Sequence, residues 1–395
     1  MLNENCYRLG AEPSVIRELF AYGLQQAAAL GPDRVYDFSL GNPSIPAPEK
    51  VTACIQELAA GVDPVKLHGY TVAAGLPEAR AAVAADLERR FDLPVRAEEL
   101  FFSCGAAPAL ISIIRALTVS PRSEILLLAP FFPEYRPFVE QNGAKAVIVP
   151  PDTNGFQINL AGIEALISPN TQALIVNSPN NPSGVVYSRE KLAALAALLE
   201  RKSAQYGHPI YIIADEPYRE LAYDGVQVPF IPCIYKNTVV CYSYSKSLSL
   251  PGERIGYVYV PAFARDGREL YTAIAGAARL MGHVCPPSLM QMVIARCAGE
   301  RPRLGDYDEN RRLLYGSLTE MGYECVRPEG AFYLMIKAPG GDSMSFSQRA
   351  KLRHNLLLVP TDDFGCPGYL RLSYCVSKDM IERSLPAFRE ALKGE

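Results

Sequence analysis

Four short stretches carry the side chains best suited to chemistry. Asn177-Ser178-Pro179-Asn180-Asn181-Pro182-Ser183-Gly184 offers amides and a turn, and Asp215-Glu216-Pro217-Tyr218 a carboxylate and a phenol. Ser243-Tyr244-Ser245-Lys246 offers hydroxyls and an amine, and Ser103-Cys104-Gly105-Ala106-Ala107 a loop of small residues. Singly, each has an ordinary explanation. Asn-Pro-Ser-Gly is a turn, an aspartate after a strand caps a helix, a lone lysine is solvated, and a Gly-Ala-Ala turn is a weak phosphate signal. Their shared position carries the weight. Three of the stretches directly follow short apolar runs, and the fourth directly precedes a helical pattern. In open parallel sheets ligands bind beyond the carboxyl ends of the strands. The amine, carboxylate, phenol, amide and small-residue loop are therefore expected at one sheet edge.

The elements that must hold these groups are legible between them. Residues 125–129, 146–149, 173–176, 210–214 and 238–242 are continuous apolar runs rich in branched side chains. Runs that do not alternate suit strands buried on both faces. Leu110-Ile111-Ile113-Ile114-Leu117 and residues 192–199 recur at helical spacing, the latter after Ser188. Alternating strand and helix predicts a mostly parallel α/β sheet. Residues 1–30 read as a helix and arm. From about residue 290 on, residues 309–321 read as helix and 331–336 and 369–374 as strands. The expected division is an N-terminal arm with part of a small domain over 1–45, a large domain over 46–289 and a small α+β domain over 290–395, built from both termini.

In this order and spacing the motifs resemble the class I/II aminotransferases, which are fold-type I pyridoxal-phosphate enzymes, and among them the prokaryotic aspartate aminotransferases. The resemblance runs from Asp37-Phe38-Ser39-Leu40-Gly41-Asn42-Pro43 to Arg371-Leu372-Ser373-Tyr374. It is most specific at residues 179–184, 215–218 and 243–246, with Arg254-Ile255-Gly256 eight residues further on. It implies pyridoxal 5'-phosphate as cofactor. Lys246 is then the lysine that forms the aldimine and later shuttles the proton. Asp215 is the anion against the ring nitrogen, and Tyr218 and Asn181 are donors to the ring 3-oxygen. The Asn181–Pro182 bond is expected to be cis. Gly105, Ala106 and Ala107, opening a helix, would cradle the phosphate together with Ser243, Ser245 and Arg254. The loop departs from the family in having no hydroxyl after Gly105. Phe132, in Pro130-Phe131-Phe132-Pro133-Glu134-Tyr135, would stack on the ring.

The same resemblance gives Arg371 as the bidentate grip on the substrate carboxylate, with the main chain at Gly41 closing over it. Tyr70 resembles the tyrosine that reaches the phosphate of the neighbouring subunit, which implies a homodimer with shared active sites. Arg279 stands about where some aspartate aminotransferases place an arginine for the side-chain carboxylate, slightly out of register. The implied activity moves an amino group between an L-amino acid, with aspartate as the candidate, and a 2-oxo acid. The alternative is a carbon–sulfur β-lyase of the same fold; ammonia and pyruvate from cysteine conjugates would mark the lyase, and dependence on a keto-acid acceptor the transaminase.

Composition narrows the field. The chain has 395 residues, 49% hydrophobic and 21% charged, with a net charge of −3. A near-neutral balance without a basic block gives no footprint for nucleic acid or an anionic membrane. No run approaches the roughly 18–20 apolar residues of a spanning helix. Residues 1–5 lack the layout of a signal peptide, so a cytoplasmic enzyme is expected. Ten scattered cysteines without a Cys-x-x-Cys pair, and only four histidines, read as reduced and mostly buried thiols with no metal site. A regulator using this fold would need a DNA-binding domain, for which the first 40 residues are too short and too little basic.

Overall fold

The computed structural model describes residues 1–394. Its centre is a seven-stranded sheet in the order Leu100–Ser103, Gly256–Tyr259, Thr238–Ser243, Tyr211–Asp215, Thr171–Asn177, Glu124–Leu128 and Lys145–Val149. All neighbouring strands run parallel except Gly256–Tyr259, which is antiparallel to both of its neighbours. The period of two along each strand divides the apolar runs between two cores. Leu126, Leu174, Ile212 and Val240 face one side, under the helices Glu49–Gly61, Pro77–Phe91, Arg189–Tyr206 and Ser288–Cys297. Ile125, Ala173, Ile213 and Val239 face the other, under Ala106–Leu117 and Gly267–Leu280.

A second body has its own core around an antiparallel sheet in the order Val359–Pro360, Tyr369–Ser373, Tyr333–Lys337 and Cys325–Val326. The helices Leu304–Met321 and Lys378–Lys393 pack on it. The N-terminal segment joins it: Tyr36–Asp37 pairs in parallel with Leu356–Leu357, and Phe38 is buried in this core.

Several expectations need adjustment. Met290, Val293, Ile294 and Cys297 belong to the core of the large sheet, with their helix packed on Glu49–Gly61 and Pro77–Phe91. The packing therefore carries the chain out of that core after residue 297 rather than at 289/290. Lys145–Val149 is an edge strand with Ile148 exposed, so its apolar run is not buried on both faces. The strand expected at 331–336 starts at Tyr333, because Ala331 takes a left-handed φ of 57°. All ten cysteines are free, and Cys6 and Cys233 are exposed. No helix among the described residues is long and apolar enough to cross a membrane.

One close approach ties the sheet to the loop that opens Ala106–Leu117. A Cβ on Gly256 would overlap the Tyr242 carbonyl and lie 3.2 Å from the Gly105 Cα. Gly256→Ala must push that loop away from the sheet, an overpacking cost of about 1–3 kcal/mol. A chemical denaturation series is expected to show that loss with an unchanged m-value.

Candidate active site

The carboxyl ends of three central strands lie in register. Asn177 pairs with Asp215, and Asp215 with Cys241. Asp215 therefore stands in the middle of the sheet edge, buried. Its Oδ2 accepts from the Tyr135 hydroxyl, while its Oδ1 has no partner. Burial pushes the carboxyl up to about 7, against the lowering effect of the Tyr135 bond. A buried carboxylate oxygen without a donor is a place for a cationic or N–H group of a ligand. Asn177 donates to the Asp215 carbonyl at 2.9 Å and accepts the Asn181 N–H at 2.7 Å, fixing the turn that follows. Asn181–Pro182 is cis, and so are Ser178–Pro179 and Ala129–Pro130.

Beneath the edge, Arg219 is fully enclosed. It donates to Glu216 at 2.7 Å and to the Tyr257 hydroxyl at 2.7 Å, and lies 4.4 Å from the Tyr242 ring centre. Arg90 closes the network by donating to Glu220 at 2.9 Å. Broken singly, such buried pairs leave an uncompensated charge. They hold the turn from Asp215 to Tyr218 against the sheet.

Lys246 follows the strand Thr238–Ser243, inside the short helix Tyr244–Ser247. Its Nζ donates to the Gly41 carbonyl at 2.6 Å. Burial lowers its amine to about 8; the Cys375 thiol opposes this, and the Arg371 and Arg254 guanidiniums add to it. Ser243 and Ser245 are buried and share a hydrogen bond of 2.7 Å. Gly105 has a φ of 90°, open to glycine at little cost. It opens Ala106–Leu117 with no side-chain cap, so the first N–H groups of that helix, at Ala106 and Ala107, are free to meet an anion. A Cβ at Gly105 would come within 2.8 Å of Arg254 Nη2, so the guanidinium is drawn right up to the loop. Phe132 is half-buried, edge-on to the Tyr135 ring at 5.7 Å between centres.

Arg371 comes from the second body. It is buried, donates to the Ser39 carbonyl and, at 3.3 Å, to Asn181 Oδ1, and its Nε has no partner. Burial lowers its pKa, but a guanidinium stays protonated in proteins. Asp37 is engaged instead with the Ser39 N–H at 2.8 Å and hydroxyl at 2.6 Å. Tyr218 is buried and shares a hydrogen bond of 3.0 Å with the Tyr333 hydroxyl.

Lys246, Asp215, Tyr218, Asn181, Ser243, Ser245, Gly105, Ala106, Ala107, Arg254, Phe132, Gly41 and Arg371 are thus gathered at one edge, between the two bodies. Tyr70 is 90% exposed, on the chain's outer face. Arg279 is exposed at the end of Gly267–Leu280, lining a groove with Arg115 and Thr118 at the far end of Ala106–Leu117 from Gly105. Neither belongs to this chain's own cluster. Sequence reasoning missed Tyr135, Asn177 and Tyr333. Tyr135 was detectable as a tyrosine three residues after Phe132, at the opening of a helical turn, and Asn177 as the polar end of a buried strand.

Comparison with known proteins agrees with this architecture. Residues 33–388 match the family model described as aminotransferase class I and II. A probable N-acetyl-LL-diaminopimelate aminotransferase of Bacillus subtilis is 30% identical over 89% of this chain and 87% of its own length. A probable aspartate/prephenate aminotransferase of Thermus aquaticus is 32% identical over 82% of this chain and 84% of its own. Among solved structures, an amino transferase from Eubacterium rectale superposes with a TM-score of 0.97 and 52% identity, covering 100% of this chain and 99% of that one. Aspartate aminotransferase from Thermus thermophilus with maleate gives a TM-score of 0.86 at 28% identity, covering 99% and 100%. With a sheet edge of this composition and a family match over nearly its whole length, the chain belongs to the class I and II aminotransferases. It is a transferase of amino groups, and the β-lyase alternative is not favoured.

Tyr135 is the only hydrogen-bond partner that the Asp215 carboxylate has among the described residues. Tyr135→Phe removes a bond that stabilises the ionised form, so the Asp215 pKa is expected to rise above about 7. Infrared difference spectra recorded across pH 5 to 9 (roughly the carboxyl range to be covered) should show the carboxylate band appearing at higher pH in the variant.

Proposed function

We propose that the chain transfers an amino group between an L-amino acid and a 2-oxo acid with pyridoxal 5'-phosphate as its cofactor, in the roles implied by the family for Lys246, Asp215, Tyr218, Asn181, Phe132, Arg254 and Arg371. The observation that carries the reading is the orphan Asp215 oxygen at the centre of an edge that also holds a lysine with a lowered pKa. The donor set fits the cofactor. Asp215 Oδ1 suits a protonated ring nitrogen. The uncapped helix start at Gly105, Ala106 and Ala107, with Arg254, Ser243 and Ser245, suits a phosphate. Tyr218 and Asn181 suit the ring 3-oxygen, and Phe132 the ring face.

When bound, pyridoxal phosphate supplies an electron sink for the charge left at the amino acid's α-carbon. The chain supplies the rest. Arg371, already desolvated and with Nε unpaired, grips the substrate carboxylate, with the main chain at Gly41 alongside. Lys246 Nζ, whose pKa burial lowers to about 8, accepts the α-proton in its neutral form and returns it. Asp215 remains ionised against the ring nitrogen, which offsets its own burial. Residues from both bodies meet around the substrate, so their closure excludes water.

We also propose a homodimer with shared sites. Val65, Tyr70, Val72, Leu280, Met281 and Val284 are all exposed. The segments that carry them are tied together: buried Gln291 donates to Thr71 Oγ1 at 3.0 Å and to the Pro286 carbonyl at 2.8 Å, and Ser288 donates to the Leu67 carbonyl at 2.5 Å. An apolar face of this kind marks an interaction surface. A second copy seated there would receive Tyr70 toward its phosphate. Aspartate is named for several relatives, and Arg279, on the neighbouring stretch, is the cation this chain offers a partner's substrate for a side-chain carboxylate.

Two experiments test these readings. Lys246→Ala is expected to bind pyridoxal phosphate without covalent capture, whereas in the parent the rate of capture rises with pH and levels off above about 8, where the amine is neutral. Capture that survives reduction with borohydride in the variant would remove Lys246 from its role. Mixing Tyr70→Phe with Lys246→Ala chains should place both lesions in one site of the hybrid and leave the other intact. Hybrid activity no greater than the mean of the two parents would dismiss the shared site.

A further inference from the structure

Tyr333 has no assigned role, yet it stands where the two halves of the site meet. It opens the strand Tyr333–Lys337 in the second body, paired with Ser373. Arg371 lies two residues along the neighbouring strand, on the same face, close enough for diagonal contact. The Tyr333 ring covers the Arg371 guanidinium at 4.9 Å from its centre. Its hydroxyl is 3.0 Å from that of Tyr218, which belongs to the large sheet's edge. The main chain at Gly41 closes the third side, since a Cβ there would overlap the Tyr333 hydroxyl. That Gly41 carbonyl accepts from Lys246. Tyr333 is buried, with its ring also against those of Tyr218 and Phe332. One side chain thus touches the carboxylate grip, the phenol aimed at the cofactor oxygen, and the backbone beside the lysine.

We infer that Tyr333 is a positioning residue that acts through two neighbours, its hydroxyl holding the Tyr218 phenol in place and its ring holding the Arg371 guanidinium flat. The inference rests on the proposed role of Tyr218 as donor to the cofactor's ring oxygen. The two functions are separable by chemistry. A hydroxyl that engages Tyr218 strengthens and orients the bond which that phenol makes to its own acceptor. An aromatic face over a guanidinium is worth a cation–π contact whether or not it carries a hydroxyl. The charged and titratable groups facing this pair are Arg371, Asp215 and Cys375. Of these, Arg371 touches Tyr333 directly, so the maleate measurement follows its response to a change at position 333.

The test uses the holoenzyme and compares Tyr333→Phe, Tyr333→Leu and Tyr218→Phe. The pH titration of the bound cofactor's absorbance reads the Tyr218 contact, and the dissociation constant of an unreactive substrate-like carboxylate, such as maleate, reads Arg371. Tyr333→Phe is expected to raise the titration midpoint by roughly half a unit, the worth of one hydrogen bond, with maleate affinity unchanged. Tyr333→Leu is expected to raise the midpoint similarly and to weaken maleate by about fivefold, through loss of the aromatic face. Tyr218→Phe should raise the midpoint at least as far as Tyr333→Phe. If Tyr218→Phe shifts the midpoint and Tyr333→Phe does not, the Tyr333 inference is overturned while the role of Tyr218 stands. If Tyr218→Phe leaves the midpoint in place, the reading beneath the inference falls and takes it along. Equal loss of melting temperature and maleate affinity in both Tyr333 variants, with no midpoint shift, marks a structural residue and overturns the proposal.

Discussion

At the middle of the sheet edge a carboxylate has been removed from water with one of its oxygens left unpaired. Leaving a buried polar atom unsatisfied costs on the order of 1–3 kcal/mol, and more when it is charged. The fold holds Asp215 there by several means. Strand pairing fixes its backbone between Asn177 and Cys241, Tyr135 occupies one oxygen, and the Arg219–Glu216 pair anchors the turn that follows. Each of these contacts constrains where the other oxygen points. The remaining architecture can be understood as what is needed to hold that direction while a ligand is absent and to use it when one is present.

The surrounding charge follows the same logic. Lys246, Arg254 and Arg371 are brought to this edge, and the carboxylates near it other than Asp215 are spoken for. Asp37 is occupied by Ser39, and Glu216 and Glu220 by Arg219 and Arg90. The positive charge at this edge therefore has Asp215 as its one unengaged carboxylate, with Arg254 exposed beside Gly105 and Arg371 buried on the side of the second body. Such a site selects molecules with anions at both ends, as a phosphate-bearing cofactor carrying an amino acid would be. It also explains why a neutral lysine can exist there, since burial and two guanidiniums all favour losing its proton.

Much of this was legible in the sequence because strand ends are easy to locate. The runs before Asn177, Asp215 and Ser243 are long enough and apolar enough to be strands, and the polar residue that follows each must lie at an edge. The family resemblance then supplied roles that spacing alone does not. Less legible were the groups whose importance arises only in three dimensions. Tyr135 and Asp215 are 80 residues apart, and Tyr218 and Tyr333 are 115 apart, so no local pattern joins them. Residues 290–297 pack on the large sheet rather than in the second body, because an amphipathic helix does not announce which core it covers. The strands Leu100–Ser103 and Gly256–Tyr259 are less legible because their apolar residues are mainly aromatic rather than branched, unlike the runs that mark the other strands.

The second body is made from both ends of the chain: Phe38 and the Tyr36–Asp37 strand meet Leu356–Leu357, and Arg371 lies beyond them. During synthesis, the large sheet has all its strands once residue 259 has emerged, and its covering helices by residue 297. Domains generally fold as units, the N-terminal one first. The first forty residues must then wait, unpaired, while more than three hundred others are made before their partners at 356 and 371 exist. The edge with Lys246 and Asp215 is thus assembled well before the arginine that would hold a substrate's carboxylate. A nascent chain passes through a stage in which the edge with Lys246 and Asp215 is complete and Arg371 has not been translated.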